Sequence, residues 1–142
     1  MKISTKIRYG MRAMIELARN KGEEPVMLGL IAQKQEISEK YLEQLFTLLR
    51  NAGLVKSERG AKGGYRLAKD PDNITALEIF EAMNGPLELV DCSIDPKSCR
   101  KSSECEAIEL WKELSDKIRD VLSSKTLTEL AQKDSTAIDY MI

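Results

Sequence analysis

The hydrophobic period of the chain changes at Gly53, and this change constrains the fold more than any other feature. Before it, apolar residues recur at three- and four-residue steps, which predicts amphipathic helices. After it, residues 54–58 and 65–67 alternate between apolar and polar side chains, which predicts two strands joined by a glycine-rich turn at 59–64. The three predicted helices cover about residues 4–21, 28–35 and 39–51. Helices followed by a hairpin predict a mainly α winged helix-turn-helix with a small β-hairpin wing.

Polar and glycine residues mark the ends of these predicted helices. Ser4 or Thr5 can cap the first helix, and Gly22 is expected to end it after Lys21. Ser38 can cap the third helix. In a helix-turn-helix the second helix of the pair enters the major groove of DNA while the first crosses the backbone. The helix that begins after Ser38 is therefore the predicted recognition helix.

The charge of the chain is divided between its two halves. The whole chain carries a formal charge of -1, but residues 1–69 sum to +7 and residues 70–142 to −8. A basic half of this size suggests a polyanionic partner, although attraction between the two halves would also explain the division. Arg59, Lys62 and Arg66 gather at one end of the hairpin, which a purely structural hairpin would not require. These charges favour binding to nucleic acid.

The acidic half is expected to hold a short helix, an irregular segment and a long helix. Thr75 and Glu78 form a capping box that opens the short helix, which continues to about Met83. Residues 87–103 follow Pro86, contain Pro96 and show no helical period, so they predict a loop. The long helix is expected to run from Ser102 or Ser103 to about Ser124. One further helical turn is expected at residues 127–131.

One apolar stripe runs along the predicted long helix. Its members are Ile108, Trp111, Leu114 (or Leu110), Ile118, Val121 and Leu122. Such a stripe needs a surface to pack against, and a two-fold dimer through this helix would supply one. A dimer would also present two recognition helices to a palindromic site. We therefore expect a DNA-binding domain at residues 1–69, and a cysteine-bearing loop with a dimerisation helix at residues 70–142.

Several classes of protein are disfavoured by what the composition lacks. The chain contains no histidine, the commonest general base, and no phosphate-binding loop, so an enzyme is not expected. No apolar run approaches the roughly 18 residues that a membrane span requires. The first residues, Met1 to Lys6, lack the apolar stretch of a signal peptide, which predicts a cytoplasmic protein.

Cys92, Cys99 and Cys105 lie close together in the sequence, among polar and charged residues. An odd number of cysteines cannot close into disulfides alone, and a polar setting disfavours buried packing. Three thiolates on one segment can bind zinc or an iron–sulfur cluster. A single thiol of lowered pKa, in the positive field of Lys97 and Arg100, could instead serve as a redox switch. The spacing does not decide between these possibilities.

Four segments of this sequence resemble the Rrf-type winged-helix transcription regulators. They are residues 1–9, 38–45, 50–55 and 59–67, and the most specific are Tyr-Leu-Glu-Gln-Leu at 41–45 and Arg-Gly-Ala-Lys-Gly-Gly-Tyr at 59–65. The three cysteines resemble the iron–sulfur, IscR-like branch of that family. The N-terminal segment and residues 123–131 also resemble the CymR-like branch, which regulates cysteine metabolism and lacks these cysteines.

The resemblance implies a homodimeric transcriptional repressor that binds a pseudo-palindromic operator in double-stranded DNA. It also implies a [2Fe–2S] cluster held by the three cysteines, delivered by iron–sulfur assembly proteins, through which the protein controls genes of cluster biogenesis. The alternative is a cluster-free repressor of cysteine or sulfur metabolism, controlled by thiol redox state or by a partner protein.

The chain departs from the family at three positions. Ile108 stands where the best-known iron–sulfur members have a histidine ligand, and Arg8 where another branch has an aspartate ligand. The turn before the recognition helix, usually Gly or Asn, is Glu36, where a left-handed backbone costs about 1–2 kcal/mol. The fourth cluster ligand is therefore open, and the carboxylates expected to supply it are Glu106, Glu109 and Asp91.

The predicted DNA-binding residues lie on the recognition helix, on the wing and at the N-terminus. They are Lys2, Ser38, Lys40, Tyr41, Glu43, Gln44, Arg50, Arg59, Gly60, Lys62, Gly63, Gly64 and Tyr65. Gln44 can pair with adenine, and Arg59 is expected to enter the minor groove. Glu43 can accept a hydrogen bond from cytosine and repel bases that present only acceptors, which would make it a gate on operator choice. A salt bridge from Glu43 to Lys40 is the structural alternative.

Overall fold

The predicted order of helices and hairpin is confirmed by a computed structural model, which describes residues 1–20 and 24–132. The elements in this range are α1 (Thr5–Arg19), α2 (Leu28–Gln35), α3 (Glu39–Asn51), β1 (Val55–Glu58), β2 (Gly64–Leu67), α4 (Ala76–Asn84), α5 (Ile108–Ser123) and α6 (Leu127–Gln132). The chain is mainly helical, with a two-stranded antiparallel hairpin as the wing. Within the described ranges, no helix has the length and apolar content to cross a membrane.

Helix α1 begins where the sequence predicts. The side chain of Ser4 accepts a hydrogen bond from the Ile7 N–H, which satisfies one of the free donors of the first turn. The described helix ends at Arg19. The predicted end at Lys21 and the expected stop at Gly22 lie outside the described residues.

The turn between α2 and α3 contains a left-handed residue at Glu36, the position where the family resemblance implies Gly or Asn. Glu36 has a φ of 55°, and its N–H donates to the carbonyl oxygen of Gln33 over 3.4 Å. The next N–H, that of Ile37, donates to the Ala32 carbonyl. The Ser38 side chain then accepts from the Tyr41 N–H and caps α3. This strained but hydrogen-bonded turn fixes the direction in which α3 leaves α2.

Helix α1 is central to a core that extends from the helix-turn-helix into the acidic half. Its buried residues pack with α2 and α3 and also with α4 and α6. Fully buried core side chains include Met14, Ile31, Leu42, Phe46, Leu49, Ile79 and Leu127. Helix α6 is held in addition by two backbone hydrogen bonds, from Leu127 to Ile74 and from Ala76 to Lys125. Residues from both halves of the sequence therefore build one core.

The wing is attached to the helices through Val26. The Val26 and Tyr65 backbones exchange two hydrogen bonds of 2.8 Å, which extend the hairpin by one bridge. The Tyr65 ring packs on Phe46 of α3, with ring centroids 4.6 Å apart. A Cβ atom at Gly64 would lie 2.3 Å from the Val26 carbonyl oxygen, so only glycine permits this close approach.

The long helix begins later than the sequence predicts, at Ile108 rather than at Ser102 or Ser103. Ser102 does not cap the helix, because its hydroxyl donates to the Pro96 carbonyl and its N–H donates to the Cys99 carbonyl. Ser102 therefore belongs to the loop, and the prediction was wrong by about one and a half turns. The helix starts after Ala107 without a side-chain cap.

The predicted apolar stripe of α5 is largely exposed in the single chain. The exposed fractions are 56% for Leu110, 37% for Trp111, 39% for Leu114 and 60% for Val121. Ser115 is the buried residue of this helix, with an exposed fraction of 1%. The other three members of the stripe, Ile108, Ile118 and Leu122, are half-buried. The helix thus presents an apolar face that the described chain does not cover.

We call residues 87–107 the cysteine segment, and α5 anchors its first part. The Ser115 hydroxyl oxygen accepts from the Leu89 N–H at 3.2 Å. Arg119 donates to the Leu87 carbonyl and, over 3.1 Å, to the Glu88 carboxylate. The other Glu88 oxygen accepts from Ser93, beside Cys92. The start of the segment is therefore tied to α5, although much of the rest is exposed.

Replacing Gly64 with alanine should destabilise the protein, because the new methyl group would strike backbone rather than a flexible side chain. We expect the free energy of unfolding to fall by about 1–3 kcal/mol, the usual cost of overpacking. Gly29→Ala is the matched control, since its Cβ would meet nothing closer than 3.5 Å. Urea denaturation of both variants checks this prediction, and equal stability of the two would contradict it.

The Glu88 carboxylate should make stability depend on acid pH. Burial alone would raise its pKa, but hydrogen bonds from Ser93 and Arg119 and the charge of Arg119 outweigh burial and place the pKa below its ordinary value of 4.5. A lowered pKa means that the stabilisation is complete above 4.5 and is lost as the pH falls through the lower folded-state pKa.

Glu88→Gln should therefore cost about 1 kcal/mol of unfolding free energy at pH 7, and the difference from the unmodified protein should vanish in acid. Denaturation curves collected between neutral and acid pH measure this difference. Asp116→Asn is the control, because Asp116 also pairs with Arg119 but its side chain is 69% exposed. An undiminished Glu88→Gln difference in acid would count against the assignment.

Candidate nucleic-acid interface and cysteine segment

The recognition helix α3 presents one polar, exposed face. Lys40, Glu43 and Gln44 are exposed in its first two turns. The opposite face is buried, through Leu42, Leu45, Phe46 and Leu49. Because positions three and four apart share one side of a helix, the three polar residues form a single exposed surface. The structure brings these predicted site residues together.

Ser38 and Tyr41, two further predicted DNA-binding residues, also hold the helix in place. The Ser38 oxygen accepts from the Tyr41 N–H at 3.1 Å, which leaves its hydroxyl proton able to donate. Tyr41 is half-buried, and its ring meets the Tyr9 ring of α1 edge-on, with centroids 6.0 Å apart. These two residues therefore connect the polar face of α3 with α1 and the rest of the domain.

Glu43 carries an exposed carboxylate on this surface. In the described part of the chain, no ion pair within 4.0 Å joins it to Lys40, the partner that the structural alternative requires. Its backbone carbonyl accepts from the Thr47 hydroxyl one turn later. The carboxylate is thus exposed on the polar face of α3, and its contact with a DNA base stays a prediction.

The tip of the wing carries exposed positive charge. Arg59, Gly60 and Lys62 are exposed, and Gly60 adopts a φ of 114° that favours glycine. The Lys62 ammonium lies 3.6 Å from the Glu24 carboxylate, with both side chains strongly exposed. Arg66, which the sequence analysis includes among the basic residues of the hairpin, pairs with Glu58 at 2.7 Å across the two strands. The tip therefore relies mainly on Arg59 and Lys62 for positive charge.

Gly63, Gly64 and Tyr65 lie at the root of the wing and are half-buried. Gly63 is required for packing in the same way as Gly64, because a Cβ atom there would lie 2.5 Å from the Glu58 carbonyl oxygen. Tyr65 packs on α3 as described. These contacts give the glycine pair and the tyrosine a structural role. Their contact with DNA stays a prediction.

Lys2 lies before α1, and Arg50 lies on the exposed side of α3 but far from its first turns. Lys2 precedes α1 and lines a cleft of about 230 Å³ together with Glu88 and Ile118. Arg50 is exposed in the last turn of α3, at the end opposite Ser38. The structure does not place either residue beside the first turns of α3, and their role in binding also stays a prediction.

An apolar groove lies between α1, α4 and α5. Its volume is about 450 Å³, and its apolar walls are Ile3, Ile7, Met11, Phe80, Ile118 and Leu122. Ile118 and Leu122 belong to the predicted stripe of α5. The groove and the exposed part of that stripe therefore provide apolar surface on α5 and its neighbours.

The three cysteines are free thiols on short turns of the cysteine segment. Cys92 and Cys105 are half-buried, and Cys99 is exposed. Cys92 lies in a short 3-10 helix at Asp91–Ser93, and Cys99 directly follows a second one at Pro96–Ser98. Among residues 1–20 and 24–132, no three Cys, Asp or Glu side chains lie close enough together to hold a metal ion. Metal binding would therefore require these turns to move toward one another.

The donor types in the segment match those of an iron–sulfur cluster. Cysteine thiolates are the usual cluster ligands, and three of them come from one exposed segment. The candidate fourth ligands Asp91, Glu106 and Glu109 are all exposed. Glu109 lies in the first turn of α5, with its carboxylate 4.0 Å from the Lys112 ammonium. Oxygen donors are thus present, and none of the three is withdrawn into the core.

Sequence reasoning missed the residues that tie these surfaces to the fold. Ser115 and Arg119 anchor the cysteine segment from α5, and Arg12 contacts the end of α2 through Gln35. One signal was available, since Ser115 is a polar residue that adjoins the apolar stripe of the long helix. The partners of Arg12 and Arg119 lie 23 and 31 residues away, and no local pattern marks such pairs.

Comparison with known proteins agrees with this architecture. Residues 3–133 match the Rrf2 family, described as an iron-dependent transcriptional regulator. The chain is 50% identical over 131 residues to the HTH-type transcriptional regulator CymR of Bacillus subtilis, covering 92% of this chain and 90% of that protein.

Two solved structures are similar over nearly the whole chain. The structure of CymR, the global cysteine regulator of B. subtilis, superposes with a TM-score of 0.79 at 47% identity, covering 94% of this chain and 99% of that one. The structure of IscR from T. potens superposes with a TM-score of 0.74 at 38% identity, covering 99% and 97%. The chain belongs to the Rrf2 family of winged-helix, DNA-binding transcriptional regulators.

Proposed function

We propose that this protein is a homodimeric repressor that senses iron–sulfur status through a [2Fe–2S] cluster on its cysteine segment and controls cluster-biogenesis genes in the cytoplasm. The observation that carries the proposal is the presence of three free thiols on one segment whose start is hydrogen-bonded to α5. A ligand bound there can alter a helix that also borders the DNA-reading half.

The DNA-binding part of the proposal rests on the polar face of α3 and the basic wing tip. Gln44 can pair with adenine in the major groove, and the exposed Glu43 carboxylate selects against bases that present only acceptors. Arg59 at the wing tip suits the narrow minor groove, which attracts cations. Base contacts then set specificity, while Lys40 and Lys62 neutralise phosphates.

The dimer is supported by the uncovered apolar face of α5. Large apolar side chains such as Trp111 and Leu114 are partly exposed in the single chain, and the groove beside Ile118 offers further apolar surface. Two copies that bury these faces against each other would remove them from water, at about 25 cal/mol for each Å². A two-fold dimer would set two α3 helices against the half-sites of a pseudo-palindromic operator.

The cysteine segment supports the sensing part of the proposal. Cys92, Cys99 and Cys105 would hold the cluster, with one of Asp91, Glu106 or Glu109 as the fourth ligand. When bound, the cluster would cross-link the turns that carry the three cysteines, in a way that depends on iron and on redox state. Iron–sulfur assembly proteins would deliver the cluster. Ser93 and Glu88 would pass a rearrangement of the segment on to Arg119 of α5.

A second function is favoured by a different observation. The identity of 50% is shared with CymR, a global cysteine regulator, and the three cysteines do not converge in the described structure. On this alternative the protein is a cluster-free repressor of cysteine or sulfur metabolism. A thiol redox change or a partner protein would then control it.

Purification without oxygen, or reconstitution with iron and sulfide, should give coloured protein. We expect absorbance bands in the visible region and about two iron and two sulfide ions per subunit, as a [2Fe–2S] cluster requires. Replacing all three cysteines with serine should remove the colour and the response of a reporter strain to iron limitation. Ser103→Ala, an exposed neighbour in the same segment, is the matched control.

Colourless protein under oxygen-free handling, with a triple serine variant that behaves like the unmodified protein in the reporter strain, would overturn cluster sensing. If the triple variant instead lost its response to cysteine or to oxidants, the thiol-controlled alternative would be supported. Operator binding is measured separately in each case, so the DNA-binding assignment does not depend on either result.

Arg59→Ala should weaken binding to every DNA sequence and reduce the salt dependence. Each cation that lies close to the phosphates, whether in a groove or on the backbone, displaces counterions and contributes about one unit to the slope of log K against log salt, so the slope should fall by about one. Lys125→Ala removes the same charge from an exposed site in the acidic half and should leave the slope unchanged. Fluorescence anisotropy titrations at several salt concentrations make the measurement, and an unchanged slope for Arg59→Ala would contradict it.

A further inference from the structure

Arg12 of α1 makes a forked contact with the end of α2. Its Nε donates to the Gln35 side-chain oxygen at 2.9 Å, and one of its terminal nitrogens donates to the Gln35 main-chain carbonyl. Gln35 is the last residue of α2. One planar guanidinium group therefore holds both the side chain and the backbone of the residue at which the helix-turn-helix bends.

The backbone at this point has a reason to need a partner. Carbonyl groups in the last turn of a helix find no N–H donor within the helix. Gln35 is such a residue, and the left-handed Glu36 follows it directly. The Glu36 N–H reaches back to Gln33, so this hydrogen bond does not use the Gln35 carbonyl. Arg12, which belongs to another helix, donates to the Gln35 carbonyl and thereby fixes the place where the strained turn begins.

The same guanidinium is linked to the beginning of α3. It lies over the Tyr9 ring, with its central carbon 5.2 Å from the ring centroid. The Tyr9 ring meets the Tyr41 ring edge-on at 6.0 Å with an interplanar angle of 78°. Tyr41 sits in the first turn of α3, between Lys40 and the exposed Glu43. Arg12 thus touches one end of the turn directly and reaches the other through Tyr9.

We propose that Arg12 is a positioning residue for DNA recognition, which sets the angle of α3 through Gln35 on one side and Tyr9 on the other. We call the four residues Tyr9, Arg12, Gln35 and Tyr41 the α1 clamp. The α1 clamp acts on sequence preference, because a small rotation of α3 moves Glu43 and Gln44 relative to base edges. Affinity for the phosphate backbone changes little, since Arg12 acts through protein groups.

Lysine cannot replace arginine in this role. The proposal depends on two parallel donors and a flat face over Tyr9, and an ammonium group has neither the fork nor the plane. The charge of Arg12→Lys is nevertheless unchanged. Arg12→Lys and Arg12→Ala together therefore separate the geometry of the side chain from its charge.

The experiment compares binding to two DNA duplexes. One is enriched by the unmodified protein from a random-sequence pool, and the other is the same duplex with its bases shuffled. Arg12→Ala and Arg12→Lys should both reduce the preference for the enriched duplex about fivefold, the size expected for exposed hydrogen bonds. Affinity for the shuffled duplex and the slope of log K against log salt should stay within error.

Arg8→Ala is the matched control. Arg8 lies one turn earlier on α1, and its guanidinium donates to Thr5 of the same helix at 3.1 Å. It should keep the full sequence preference, although it removes the same charge. Gln35→Ala should lose less preference than Arg12→Ala, because the main-chain carbonyl remains, and the double variant should fall short of the sum of the two losses.

Thermal melting and molar mass are measured for each variant, because Arg12 also lines the apolar groove beside Ile118 and Leu122. Full preference in Arg12→Lys would overturn the proposal, since charge alone would then suffice. Equal weakening on both duplexes in Arg12→Ala, with a slope lower by about one, would identify a phosphate contact instead. Unchanged preference in both variants would show that the α1 clamp has no role in recognition.

Discussion

The structure depends on the burial of one face of α1. Met14 and Leu17 are almost completely removed from water, and each such side chain contributes about 1.5–3 kcal/mol. Because this face packs with α2 and α3 as well as with α4 and α6, both halves of the sequence share one core. The more exposed side of the same helix carries Tyr9, Arg12 and part of the apolar groove. Helix α1 therefore lies between α3, which carries the proposed DNA-binding face, and the surface around α5.

The cysteine segment is joined to this frame by polar contacts rather than by a core of its own. Leu87 is buried, but beyond it the segment relies on Ser115, Arg119 and Glu88. Exposed turns held by a few hydrogen bonds open at low cost compared with a packed core. A segment of this kind can rearrange around a ligand without unfolding the domain, which suits a sensor of either proposed type.

Much of the fold could be predicted from local patterns, whereas the site could be predicted only in part. The bounds of α2 and α3 and the capping box at Thr75 follow from short-range periodicity and capping, whereas the left-handed Glu36 was suggested only by the resemblance to the family. The start of α5 could not be predicted, because Ser102 hydrogen-bonds to Pro96 within the loop instead of capping a helix. Local sequence also does not show which charged side chains form ion pairs. Arg59 is exposed at the wing tip, whereas Arg66 of the same hairpin pairs with Glu58.

The sequence by itself determined the winged helix-turn-helix, the division of charge and the three closely spaced cysteines, because these are properties of neighbouring residues. Tertiary structure decided which groups meet across long separations. Only the folded chain shows that Gly64 must admit the Val26 backbone, that Arg12 holds Gln35, and that Arg119 holds Glu88. Such contacts depend on the packing of whole helices, and a residue leaves no local sign of a partner that folding brings from 20 or 30 positions away.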